Sequence, residues 1–100
     1  MKIILVCSAG MSTSMLVKKM RSAAEDKGLE ADIEALAESQ LKNNLDNLDV
    51  VLIGPQVRYL EKKIRDQLEP KGIKVAIIDQ MAYGMIRGDK VLEQAIALTE

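Results

Sequence analysis

The chain has no histidine, no tryptophan and no phenylalanine, a single cysteine, two tyrosines and two prolines. Each scarcity excludes something. Without histidine there is no Cys–His or Ser–His nucleophile pair, and the usual zinc-ligand sets lose a principal member. One cysteine forms no internal disulfide, so nothing here calls for an oxidising compartment. Without Phe or Trp the core must be aliphatic, and an apolar content of 48% is enough to build one. No run approaches the ~18 apolar residues of a membrane span, and the N-terminal apolar run is too short for a secretory signal. Fourteen lysines and arginines against fifteen aspartates and glutamates leave a net charge of -1. That balance lacks the basic excess of a nucleic-acid partner surface or of a membrane-surface helix. The expected location is the cytoplasm.

What is present is an alternation of strand and helix patterns within 100 residues, a usual size for one domain, here residues 1–100. Residues 2–6, ending in Ile3-Ile4-Leu5-Val6, form a short apolar run typical of a strand buried on both faces. Over residues 12–27, Leu16, Val17, Met20, Ala23 and Ala24 share one helical face, and Lys18, Lys19, Arg21, Ser22 and Glu25 share the other; Gly28 is a stop. Residues 31–36 alternate polar and apolar, which suits an edge strand, and residues 38–43 suit a short helix. Residues 49–53 (DVVLI) give a third strand ended by Gly54-Pro55. Val57, Leu60, Ile64 and Leu68 mark a helix closed by Pro70 and Gly72, and residues 74–78 (KVAII) give the last strand. A helix over residues 90–98, turning Val91, Ala95 and Leu98 inward, has Asp89 as a candidate cap. Strict alternation implies right-handed parallel βαβ units. The expected fold is α/β: a three-layer, flavodoxin-like open parallel four-stranded sheet, order 2-1-3-4, with helices on both faces.

In such folds the site lies beyond the carboxyl ends of the strands, where the strand order reverses. Cys7-Ser8, Gly54-Pro55-Gln56 and Asp79-Gln80 all fall there, on one rim. The stretch Cys7-Ser8-Ala9-Gly10-Met11-Ser12-Thr13-Ser14 joins the first strand to the first helix. A helix N-terminus offers unpaired N–H groups and positive potential, so such a loop binds phosphate without a cationic side chain. The same field favours the thiolate, the nucleophilic form of a thiol. Gly10 permits a tight turn, and Ser8, Ser12, Thr13 and Ser14 add hydroxyl donors. A thiol in an anion cradle suits a cysteine that accepts a phosphoryl group. The plainer alternative makes Cys7 a small buried apolar residue and the hydroxyls helix caps.

The segments CSAGMSTS, VVLIGPQV and IDQMAYG, in that order and spacing, resemble the IIB components of the bacterial phosphoenolpyruvate-dependent sugar phosphotransferase system, lactose/cellobiose (diacetylchitobiose) type. The resemblance covers nearly the whole chain. It implies a cytoplasmic phosphotransferase component that takes a phosphoryl group from phosphohistidine on IIA. The group is held as phosphocysteine on Cys7, with Ser8, Ala9, Gly10, Met11, Ser12, Thr13 and Ser14 as phosphate loop. It then passes to a β-linked disaccharide, such as cellobiose or chitobiose, bound on the membrane component IIC. The partners implied are IIA and IIC; no cofactor, metal or nucleic acid is expected, nor membrane insertion of this chain. The loop also resembles in shape that of low-molecular-weight tyrosine phosphatases, Cys-x-x-x-x-x-Arg-Ser. Thr13 stands in the arginine position here. Without a bidentate clamp the site is suited to hold a phosphocysteine rather than to hydrolyse it. A phosphatase-like hydrolase and a non-catalytic anion-binding module are the alternatives. A reductase chemistry lacks a second, resolving thiol.

Three further residues belong to the rim. Asp79 is read as a cap for the segment after it in preference to an acid, because a carboxylate near Cys7 disfavours a second anion. Gln56 either starts a helix or reaches the cysteine loop, and Tyr83 serves docking or packing. Among the methionines flanking the rim, Met15 is assigned to the core, and Met11, Met81 and Met85 are candidates for partner contact. Lys18, Lys19 and Arg21 read as a solvated helix face.

Overall fold

Apolar runs of four or five residues form the sheet: β1 (Lys2–Val6), β2 (Asp32–Leu36), β3 (Val50–Ile53) and β4 (Lys74–Ile77). All pair in parallel in the order β2-β1-β3-β4, as expected, with Ile3 opposite both Ile33 and Val50, and Val51 opposite Val75. The computed structural model describes residues 1–7 and 11–99, with residues 11–13 by backbone alone. The helices are α1 (Met11–Asp26), α2 (Glu38–Leu41), α3 (Glu61–Leu68), α4 (Gln80–Gly84) and α5 (Gly88–Thr99). Among the described residues no helix is long and apolar enough to cross a membrane.

The side-chain alternation of the strands divides the core between two faces. Ile3, Leu5, Ile33, Val50 and Leu52 point to the face covered by α1 and α5, where Leu16, Met20, Val91, Leu92 and Ala95 meet them. Ile4, Val6, Val51, Ile53 and Val75 point to the other, packing against Leu41, Val57, Ile64 and Leu68. Both central strands, β1 from Ile3 onward and all of β3, are therefore buried on both sides. Each such side chain contributes about 1.5–3 kcal/mol of burial, and this fixes the rim from which the loops emerge.

Three details differ from the sequence reading and one adds to it. The segment after β3 begins as a 3₁₀ turn (Pro55–Leu60), with Val57 at φ -118, ψ 27, before α3 starts. That break turns Val57 into the core, where it is 3% exposed. Met15, expected in the core, is 50% exposed, because Leu16, Val17, Met20 and Ala24 fill the inward stripe of α1 and Met15 stands in the row of Lys19. Arg21 is exposed, as expected of the solvated face, and is also anchored: its Nε and Nη2 donate to the Ile33 carbonyl at 3.0 and 2.6 Å, in the edge strand β2. Finally, α5 starts at Gly88, so Asp89 lies inside its first turn and pairs with Arg87 at 3.2 Å instead of capping it. Gly88 permits that start. A Cβ there would lie 2.5 Å from the Lys19 carbonyl carbon and 2.6 Å from the Met20 nitrogen, both backbone atoms of α1.

Candidate functional site

Cys7 is the first residue after β1, the inner strand next to the reversal of strand order. Its N–H donates to the Leu36 carbonyl at 3.2 Å, extending the β1–β2 ladder by one bond, and its residue is 8% exposed. Ser8, Ala9 and Gly10 of the expected phosphate loop lie outside the described residues. Met11, Ser12 and Thr13 open α1, and their side chains likewise lie outside them. Ser14 is exposed, one residue further along the helix. The first turn of α1 carries no acidic residue, so no side-chain carboxylate offsets the positive end of a 16-residue helix.

Across the rim, β3 is followed by Gly54, whose N–H donates to the Val6 carbonyl at 2.8 Å. Gly54 is buried, and the space a side chain would need is taken. A Cβ on it would stand 2.8 Å from Gln56 Oε1, 3.3 Å from the Val6 carbonyl oxygen and 3.8 Å from Cys7 Cβ. The missing side chain thus leaves room for Gln56 Oε1 against Gly54. Gln56 Nε2 in turn donates to the Tyr83 hydroxyl at 2.6 Å, across 27 residues of sequence. Gln56 and Tyr83 therefore meet, and Gln56 and Cys7 both border Gly54.

Tyr83 is held by the short helix that carries it. Asp79 caps α4: its Oδ2 accepts from the Ala82 N–H at 2.9 Å, the role favoured from the sequence. At the other end Ile86 takes a left-handed conformation (φ 54), the Arg87 N–H donates to the Ala82 carbonyl at 2.8 Å and the Ile86 N–H to the Tyr83 carbonyl at 3.1 Å. This is a Schellman closure with isoleucine in the position glycine usually fills. For a β-branched residue that conformation costs about 1–2 kcal/mol, and the packing of Ile86 on the core offsets it.

Sequence reasoning missed Gln94. Its Oε1 accepts from the Asp79 N–H at 3.0 Å and its Nε2 donates to the Ile77 carbonyl at 2.8 Å, so one α5 side chain clamps the end of β4 to the start of α4. The only signal was an amide next to the inward residues Val91 and Ala95. Met81 and Met85 are 73% and 61% exposed. With Asp79, Ala82, Arg87, Lys90 and Gln94 they line an open cleft of about 520 Å³ on the outer side of α4.

A buried thiol thus stands at the carboxyl end of an inner strand, ahead of a helix whose first turn carries no acidic residue. The family model described as "PTS system, Lactose/Cellobiose specific IIB subunit" matches residues 2–94. The chain is 45% identical to the oligo-beta-mannoside-specific EIIB component of the PTS system of Bacillus subtilis, over 97% of this chain and 94% of that protein. It is 46% identical to the cellobiose-specific phosphotransferase IIB component of Borrelia burgdorferi, whose solution structure superposes with a TM-score of 0.81 over 99% of this chain and 91% of that one. The lactose-specific IIB domain of Streptococcus pneumoniae shares the fold at a TM-score of 0.88 and 17% identity, over 100% and 98% of the two chains. This chain belongs to the lactose/cellobiose-specific IIB family of the sugar phosphotransferase system.

Proposed function

We propose that the chain, one IIB domain over residues 1–100, carries a phosphoryl group on Cys7 between two partners in the cytoplasm. The donor is a phosphohistidine on IIA, and the acceptor is a β-linked disaccharide bound on the membrane component IIC. In the first step the Cys7 sulfur attacks phosphorus, the P–N bond to the donor imidazole breaks, and an S–P bond forms. The thiol proton ends on the leaving imidazole. In the second step a sugar hydroxyl attacks in line, its proton passes to the departing thiolate, and the S–P bond breaks. Amides at the start of α1 and the hydroxyls of Ser8, Ser12, Thr13 and Ser14, with the Ala9-Gly10-Met11 backbone, stabilise the phosphoryl oxygens. Catalysis consists of positioning and charge stabilisation. The absence of histidine in this chain fits a donor histidine on the partner.

The observation that carries the reading is the position of Cys7: the first residue after an inner strand, immediately ahead of the loop into α1. Thr13 in place of a phosphate-clamping arginine favours holding over hydrolysis. The test is intact mass after incubation with phosphorylated IIA, beside Cys7→Ser. The expected result is one phosphoryl group on the native chain and none on the variant. Release of phosphate from an aryl phosphate without added mass overturns the reading in favour of a hydrolase. No modification and no turnover leaves an anion-binding module.

A further inference from the structure

We propose that the Gln56–Tyr83 hydrogen bond is a cover on one flank of the Cys7 thiol, with Gln56 as a positioning residue admitted by the missing side chain of Gly54. The consequence for transfer rests on the reading of Cys7 as phosphoryl acceptor; the shielding is a property of the free protein. Gln56 Oε1 and Cys7 Cβ lie 2.8 and 3.8 Å from one point, the place a Cβ of Gly54 would take. Gln56 is an exposed residue, and a free glutamine side chain there would sample many rotamers. Its amide is instead tied at 2.6 Å to Tyr83. Both ends of the tie are fixed from behind. The 3₁₀ turn is anchored by the Val57 N–H on the Gly54 carbonyl at 3.0 Å, and α4 by its Asp79 cap.

The tie also sets polarity. With its NH2 given to Tyr83, Gln56 turns its carbonyl oxygen toward the Gly54–Cys7 side. A carbonyl dipole repels phosphoryl oxygens, whereas the amides at the start of α1 attract them. The couple therefore holds a phosphoryl group on the α1 side and leaves one approach for in-line transfer. Without the tyrosine hydroxyl, Gln56 is free to rotate its amide and both effects are lost together.

The experiment measures alkylation of Cys7 by iodoacetamide in the native chain, Gln56→Ala, Tyr83→Phe and the double variant, with thermal midpoints alongside. A bond of ordinary net strength is open in a minority of molecules, so each single variant is expected to raise the alkylation rate about fivefold. The double variant is expected to go no further in alkylation, because both changes remove the same Gln56–Tyr83 bond. With phosphorylated IIA, the variants should load Cys7 fully at a maximum rate several-fold lower, with the half-saturating donor concentration unchanged. A merely structural role would shift the thermal midpoint and leave that split unmoved. Unchanged alkylation in both single variants, or a double effect equal to the product of the two, overturns the cover. If Tyr83→Phe fails to fold, Gln56→Ala at its exposed site decides. If the native chain takes up no phosphoryl group, the proposed function fails, and alkylation still decides the cover.

Discussion

Gly88 is a residue at which α5 lies close against α1, and two opposing magnitudes meet there. Replacing a glycine in a helix interior by alanine gains about 1 kcal/mol of propensity, and Gly88, the first residue of α5, gains less. The added Cβ, however, would stand 2.5–2.6 Å from Lys19 and Met20, mostly from backbone atoms that have no rotamer to give way. Overpacking of that kind costs about 1–3 kcal/mol or more, so Gly88→Ala is expected to be destabilised by about 1–2 kcal/mol in urea denaturation. A variant as stable as the native chain would show that the helices part without cost. Next to it, the hydrogen bonds from Arg87 at 3.2 Å hold the Asp89 carboxyl below the usual carboxylate range. A folded pKa below the unfolded one means that the pair's contribution is complete above the unfolded pKa and is lost as pH falls through the folded one. Arg87→Gln should move the Asp89 midpoint upward in a carboxyl NMR titration. An unmoved midpoint would remove the guanidinium as the cause.

The short helix α4 has five residues, too few to stand alone, and its order comes from its ends. Asp79→Ala removes the cap and is expected to cost about 0.5–2 kcal/mol, with faster amide exchange at Ala82. Gln94→Leu removes two hydrogen bonds from the same junction and should cost about 1–3 kcal/mol. If Ala82 exchange is unchanged in both variants, α4 is held by packing alone. The strands and the long helices were legible because their apolar spacing is local: Ile3 to Val6 and the stripe of Leu16, Val17 and Met20 need no knowledge of the rest. Asp79 was legible as a cap for the same reason. Gln94, Arg21 and the kink at Val57 were not, since each answers to a group brought near by tertiary folding. Met15 was misplaced because a methionine beside an apolar stripe does not reveal on which side of it the residue stands.

At the scale of the whole molecule, the strand order followed from the alternation of elements, and the order alone brought Cys7, Gly54 and Asp79 to one rim. The contact that joins the rim, Gln56 to Tyr83, links two loops by side chains and leaves no local trace in sequence. The same order has a consequence for how the chain is made. β1 lies between β2 and β3, and the Lys2 N–H is met by the Asp49 carboxylate 47 residues later. At a synthesis rate of about 5–20 residues per second, roughly 2–9 s separate the emergence of these partners from the ribosome. Until β2 emerges, Ile3 to Val6, fully buried in the finished fold, has no strand beside it, and from then until β3 arrives it has β2 on one side and nothing on the other. The nascent chain thus carries a short apolar segment whose second edge stays unpaired until β3 arrives.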